Sequence, residues 1–187
     1  MNKYNIEKVA NAIKFFEMKS VRHLGKTKLM KLLFFADKAH LEQFCKPIFY
    51  DKYFKLPHGP VPSLTLNIID SLNECENDDL HEYTLKFKKH INVKEQEWGK
   101  GKRTKFEAVT DFEEDLFSKS ELDIMEVIAK QFQDETAKKI SDISHKLPEY
   151  QFTEMNEIID YSDMAPEHNG YLKYIANTNR EFEEIFR

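Results

Sequence analysis

The sequence of 187 residues has few cysteines and no long hydrophobic run. Its two cysteines, Cys45 and Cys75, are too few for a disulfide framework and lack the paired spacing of a zinc site. No apolar stretch approaches the roughly 18 to 20 residues that span a bilayer, and the amino terminus lacks the uninterrupted apolar core of a signal peptide. We therefore expect a cytoplasmic protein with two free thiols and no membrane partner.

Catalytic motifs are also missing from the sequence. Residues 25–27 have the glycine and lysine that end a phosphate-binding loop, but Ser20 stands where that loop needs its first glycine. None of the seven histidines forms the i, i+4 pair with a carboxylate that marks a helical zinc site, and no serine or cysteine lies in a nucleophile motif. The sequence predicts a protein that is not an enzyme, with no catalytic residue, no metal ion and no cofactor.

One set of polar residues leaves another interpretation open. Asp37 and His40 are one helical turn apart, and His58 and His145 can approach them in the fold. We favour the interpretation that these groups satisfy one another and nearby backbone inside the domain, because buried polar groups are paired. A hydrolase that uses Asp37, His58 and His145 is the alternative.

Composition and charge predict one compact domain. Hydrophobic residues make up 41% of the chain and include 15 Phe and 8 Tyr, which suits an aromatic-rich core. At this length one domain is the default, and we expect residues 1–165 to form it, with a C-terminal helix at 166–187 packed on it. The net charge of −5 is uneven: residues 86–110 carry eight basic and three acidic side chains, whereas residues 111–187 carry eight and 19.

Hydrophobic periodicity predicts an α+β fold that is predominantly helical. An amphipathic first helix covers residues 6–16, and a second helix covers Lys26–Phe44 and cannot continue through Pro47. An extended piece follows at 48–56, and Pro62 or Ser63 opens a third helix. Later in the chain, a capping-box spacing predicts a helix that begins at Ser120, and Thr136 is expected to cap a helix that reaches His145.

Alternating apolar residues at 83–93, answered at 106–109, predict a small antiparallel β-hairpin with its tip at 98–103. Its many basic residues support two interpretations. Lysines commonly protect an edge hairpin from pairing with other chains. The alternative is a nucleic-acid-binding regulatory or phage accessory protein, in which the hairpin follows a phosphate backbone and an aromatic ring stacks on a base. The residues assigned to that alternative are Lys88, Lys89, Trp98, Lys100, Lys102 and Arg103.

The most specific pattern lies between Gly25 and Ser63. Residues 28–37 read Lys-Leu-Met-Lys-Leu-Leu-Phe-Phe-Ala-Asp, with one apolar helix face that should be buried. Lys28 and Lys31 share a flank of this helix, which is either a solvated face or a rim that contacts an acidic partner. Residues 58–62 read His-Gly-Pro-Val-Pro, and the two prolines restrict the backbone so that the turn holds one shape.

These residues resemble the SocA-like Panacea domain family. Its hallmarks are a Lys-Leu-x-Lys-Leu-Leu-aromatic-x-Ala-Asp helix and a His-Gly-Pro-Val turn, which residues 28–37 and 58–61 match. A third element, a helix end of the form (Leu/Ile)-Ser-x-x-(Ser/Thr)-His, resembles residues 140–145, and Tyr150 lies near a position where the family often has an aromatic residue. The resemblance covers residues 5–165.

The resemblance implies a protein that acts by binding another protein. Members of the family are typically antitoxins that occlude a toxin encoded beside them, and SocA-like members also act as proteolytic adaptors that hand the toxin to a bacterial protease. The expected partners are therefore a cognate toxin and, for an adaptor, a protease. The partner-binding residues predicted on this basis are Lys28, Lys31, Asp37, His58, Gly59, Pro60, Val61 and His145.

Overall fold

The computed structural model describes residues 5–72, 80–98 and 101–164, which form the predicted α+β fold with helices predominating. The helices are α1 (Ile6–Met18), α2 (Lys26–Phe44), α3 (Ser63–Ser71), α4 (His81–His90), α5 (Lys119–Gln131), α6 (Ala137–Ser144), α7 (Pro148–Phe152) and α8 (Tyr161–Met164). The strands are β1 (Tyr53–Leu56), β2 (Gly59–Pro62), β3 (Ile91–Trp98), β4 (Gly101–Ala108) and β5 (Ile158–Ile159). Within these residues, no helix is both long enough and apolar enough to cross a membrane.

Some sequence predictions fall outside the described residues. They concern Cys75, Lys100 and the C-terminal helix expected at 166–187. Those three stay predictions.

Helix α2 is the central packing element, and its predicted bounds are confirmed. It contacts β2 and helices α5, α6 and α8. Its apolar face is fully buried, with Leu29, Leu32 and Ala36 at 0% exposure. Because neighbours also cover other sides of α2, several of its polar residues are buried as well.

Helix α5 begins at Lys119, one residue before the predicted start at Ser120, and its N-cap is Ser118. The hydroxyl of Ser118 accepts the main-chain N–H of Glu121, and the Glu121 carboxylate accepts the Ser118 N–H at 2.7 Å. These reciprocal bonds form a capping box, which provides acceptors for two N–H groups that have no hydrogen-bond partner within the helix. The predicted cap of α6 is confirmed, because Thr136 accepts the N–H of Lys139 at 3.2 Å.

The basic hairpin forms, but its first arm is shorter than predicted. Strand β3 pairs with β4 in antiparallel register from Ile91 and Ala108 to the turn. Residues 83–90 belong instead to α4. The alternating pattern was misleading because Tyr83 and Phe87 are four residues apart, a spacing that also places them on one helix face. Phe87 is fully buried there.

A three-stranded antiparallel sheet has the order β2-β1-β5. The predicted extended piece and turn form its first two strands, with Leu56 opposite Gly59. Strand β5 pairs with β1, so that Ile158 lies opposite Phe54. The sequence did not predict β5, because two residues carry no periodic pattern.

Candidate functional site

The three sequence elements that carry the family resemblance meet around Gly59. A β-carbon at this position would lie 2.8 Å from Cε of Lys31 and would overlap Oγ of Ser144. The φ angle of Gly59 is +98°, in the left-handed region that favours glycine. Glycine at position 59 therefore lets the turn lie directly against α2 and the end of α6.

Lys31 connects α2 to the turn from inside the protein. Its side chain is fully buried, and its ammonium donates to the main-chain oxygen of Pro60 at 2.7 Å. Burial lowers the pKa of Lys31 from 10.5 to about 7, because a charge is costly away from water. The expectation that Lys31 lies on a solvated or partner-contacting rim is wrong, since β2 and α6 cover this part of α2.

Lys28 is buried in the same helix and also corrects the predicted rim. Its ammonium donates to three main-chain oxygens, at 2.6 Å to Arg22, 2.7 Å to Glu135 and 3.3 Å to Gln133. Burial lowers its pKa to about 8, and the nearby charge of Asp134 opposes this shift. Lys28 thus joins the loop before α2 to the loop between α5 and α6.

Asp37 lies at 0% exposure and holds the chain that follows α2. Its Oδ1 accepts the N–H groups of Ile48 and Phe49 at 2.6 and 2.8 Å. Its Oδ2 accepts the hydroxyl of Tyr53 at 2.8 Å. Burial raises the pKa of Asp37 to about 7 against the opposing effect of these hydrogen bonds. The carboxylate therefore has a structural set of partners and does not contact a surface.

The predicted cluster of Asp37 with three histidines does not form as a unit. Nδ1 of His40 lies 2.7 Å from the main-chain oxygen of Lys46, and its Nε2 lies 3.1 Å from Oγ of Ser120. Burial is the main cause that lowers its pKa. His58 lies instead in the turn between β1 and β2, and His145 lies at the C-terminal end of α6. The grouping fails because His40 and Asp37 use partners on different elements.

His145 is half-buried and packs against an aromatic ring. Its ring stacks on Tyr150 at 4.8 Å, and Tyr150 donates its hydroxyl to the main-chain oxygen of Leu56 at 2.8 Å. Nε2 of His145 is buried without a hydrogen-bond partner in the described part of the chain. Burial and then the charge of Lys31 lower the pKa of His145. His58, on the turn, is exposed.

Two residues of the site were quoted in the motifs but not predicted as functional. Ser144 contacts the turn, and Tyr150 supports His145 on one side and the turn on the other. The available signal was their place in the third sequence element and just after it. The remaining turn residues, Pro60 and Val61, are buried in β2.

The described nucleic-acid candidates are divided between two elements, α4 and the hairpin. Lys88 and Lys89 lie exposed on α4 and not on the hairpin, which corrects their predicted position. Lys102 is paired with Glu95 at 2.8 Å, and Trp98 ends β3. Arg103 packs against Gly25: a β-carbon added at Gly25 would lie 3.3 Å from Nε of Arg103.

Comparison with known protein families identifies one match. The family model described as antitoxin SocA-like, Panacea domain matches residues 29–151. Comparison with curated proteins finds no match, and comparison with solved structures finds none either. The matched range begins within α2, at Leu29, and contains the rest of that helix, the Gly59 turn and the end of α6, which are the elements that meet in the site. This chain therefore belongs to the SocA-like antitoxin family and carries its Panacea domain.

Proposed function

We propose that this protein is the antitoxin of a bacterial or prophage toxin–antitoxin pair and neutralises its toxin by binding it directly. Membership of the SocA-like family supports the class of function. The observation that carries the proposal is the convergence of three separate sequence elements on Gly59. Such a convergence fixes the shape of one part of the surface, and a fixed shape lowers the entropic cost of binding a partner.

The predicted partner-binding residues divide into two groups in this proposal. Six of them are buried residues that support the surface from inside: Lys28, Lys31, Asp37, Gly59, Pro60 and Val61. His58 and His145 present the surface, and the Tyr150 ring holds His145 in place. The toxin contacts the second group.

Binding fits this arrangement better than hydrolysis does. A histidine that acts as a general base is commonly oriented by a carboxylate. Asp37, the acid proposed for that role, directs both oxygens to Ile48, Phe49 and Tyr53. His145 is oriented by an aromatic ring instead.

Co-expression with the protein encoded in the adjacent open reading frame tests the proposal. We expect growth arrest by that protein alone and rescue by the pair. His58→Glu places a negative charge on the proposed surface, and we expect it to weaken the purified complex at least about tenfold, the size of a typical contact residue in the centre of an interface. His81→Glu, on an exposed position of α4, is the matched control and should leave affinity unchanged.

The same experiment separates two ways of neutralising the toxin. The only support for a proteolytic-adaptor role is that SocA-like members of the family have it. An adaptor lowers the amount of toxin in the cell, whereas an occluding antitoxin leaves it intact in a complex.

A folded His58→Glu variant that binds the toxin as tightly as the wild type would rule out the proposed binding surface. Failure to find any complex or rescue would remove the antitoxin proposal.

A further inference from the structure

Exposed apolar side chains concentrate between α7 and β5. The described residues leave eight large apolar side chains exposed, and three of them lie within residues 152–158. Phe152 is 84% exposed, Met155 47% and Ile158 46%. Single exposed apolar residues are ordinary on a protein surface, but neighbours in one patch commonly mark an interaction site.

The same segment provides an open sheet edge. In the described part of the chain, β5 is the outermost strand next to β1. The Lys55 N–H donates to the main-chain oxygen of Glu157 at 2.9 Å. Along an antiparallel pair, residues that hydrogen-bond to the partner strand alternate with residues whose main-chain groups point away from it. The N–H and C=O of the next residue, Ile158, therefore point away from β1. An outward-pointing pair of this kind can accept another strand.

The charge of this edge is negative. Glu154 and Glu157 are exposed and alternate with the apolar residues, and neither has an ion-pair partner among the described residues. Lys55, from the neighbouring strand, does not neutralise them. Its ammonium donates to the main-chain oxygen of Thr153 at 2.8 Å and lies 4.8 Å from the centre of the Tyr150 ring.

We propose that this edge, which we define as residues 152–158, binds an extended segment of the toxin that carries both apolar and basic side chains. The segment adds as a strand at β5, where Ile158 supplies main-chain hydrogen bonds and sets the register. Phe152 and Met155 bind its apolar side chains, and Glu154 and Glu157 attract its lysines or arginines. The inference rests on the proposed function, because the toxin supplies the segment. Tyr150 and Lys55 connect this edge to the His58 and His145 surface.

Affinity measurements with the protein from the adjacent open reading frame test the apolar part. Phe152→Ser should weaken the complex at least about tenfold, because it removes the most exposed apolar side chain of the edge. Val127→Ser is the matched control, since Val127 is 58% exposed on α5, away from the edge. Its affinity should equal that of the wild type.

Charge reversal tests the basic character of the bound segment. The double variant Glu154→Lys/Glu157→Lys should slow association and remove most of its dependence on salt, because exposed charges act mainly on the rate of encounter. Hydrogen exchange tests strand addition itself. The Ile158 amide should exchange quickly in the free protein and become protected in the complex.

Each outcome decides the inference. A complex that forms with unchanged affinity in both variants and with no protection at Ile158 overturns the edge and leaves the antitoxin proposal standing. Absence of any complex overturns both. Protection of Ile158 in the free protein also overturns the inference. Protection that grows with concentration would assign the edge to a second copy of the chain, and protection independent of concentration would assign it to residues 165–187.

Discussion

Three ionisable residues of α2, namely Lys28, Lys31 and Asp37, are buried, and each has main-chain hydrogen-bond partners. Lys28 donates to three main-chain oxygens, whereas Lys31 donates to one, that of Pro60. Asp37 accepts four hydrogen bonds, two of them from the main chain and two from tyrosine hydroxyls. Since most of these partners are backbone groups, the three side chains fix where the chain runs. At the residue scale, the site is a set of main-chain positions held by buried charges.

Gly59 is the position where a single added methyl group should matter most. Gly59→Ala forces alanine to a φ of +98° and brings its β-carbon into contact with Lys31 and Ser144. The backbone cost alone is roughly 1–3 kcal/mol of unfolding free energy, and the contact adds to it. Urea unfolding should show this loss. Gly101→Ala is the control, because a β-carbon there meets nothing within 4 Å; equal stability of the two variants would contradict the packing described for Gly59.

Lys31 should make the unfolding free energy depend on pH above neutrality. Its pKa is about 7 in the folded protein and has the ordinary lysine value of 10.5 in the unfolded chain. Between these two pH values the unfolded chain therefore binds more protons than the folded protein does. Stability from this residue is therefore fully present above pH 10.5 and is lost as the pH falls towards 7. Lys31→Met removes the ionisable group and should flatten the rise in stability measured by urea unfolding from pH 7 to 9.

The comparison for this prediction is Lys130→Met, at an exposed position of α5. That variant should keep the slope of the wild type. Lys28, with a pKa of about 8, leaves a smaller slope in both proteins. Asp37 acts in a separate window, because its pKa is raised from 3.8 to about 7 and its contribution is lost as the pH rises through that range. Identical slopes for Lys31→Met and Lys130→Met would contradict the assignment.

At the scale of elements, the β3–β4 hairpin neutralises much of its own charge. Lys102 pairs with Glu95, and both Lys94 and Lys105 pair with Glu107. The basic excess of residues 86–110 is thus divided between α4 and a hairpin whose two strands carry four basic and three acidic side chains. This pattern fits an edge that is kept from pairing with other chains.

The hairpin should therefore not retain nucleic acid. We expect no binding of the wild-type protein to a short DNA duplex or single strand at about 50 mM salt, where phosphate contacts are strong. Glu95→Gln/Glu107→Gln frees the paired lysines and should raise retention, which shows that the assay detects basic charge on this element. Wild-type binding that falls steeply between about 50 and 200 mM salt would restore the nucleic-acid alternative.

At the scale of the whole molecule, the sequence predicted the elements better than their meeting place. The bounds of α2 followed from its long apolar stripe and Pro47, and the stiff turn followed from Pro60 and Pro62. The burial of Lys28 and Lys31 could not be predicted, because lysine is rarely buried and its acceptors here are backbone oxygens of distant segments. The position of Lys31 beside the turn and Ser144 depends on how α6 packs on β2, which no local pattern contains.

The three oxygens bound by Lys28 have a consequence for how the family can vary. Every residue has a carbonyl group, so side chains at positions 22, 133 and 135 can be replaced without removing an acceptor. An inserted or deleted residue in either loop would instead move the oxygens away from the ammonium. Relatives that keep this lysine should therefore differ freely in the composition of these two loops while conserving their lengths.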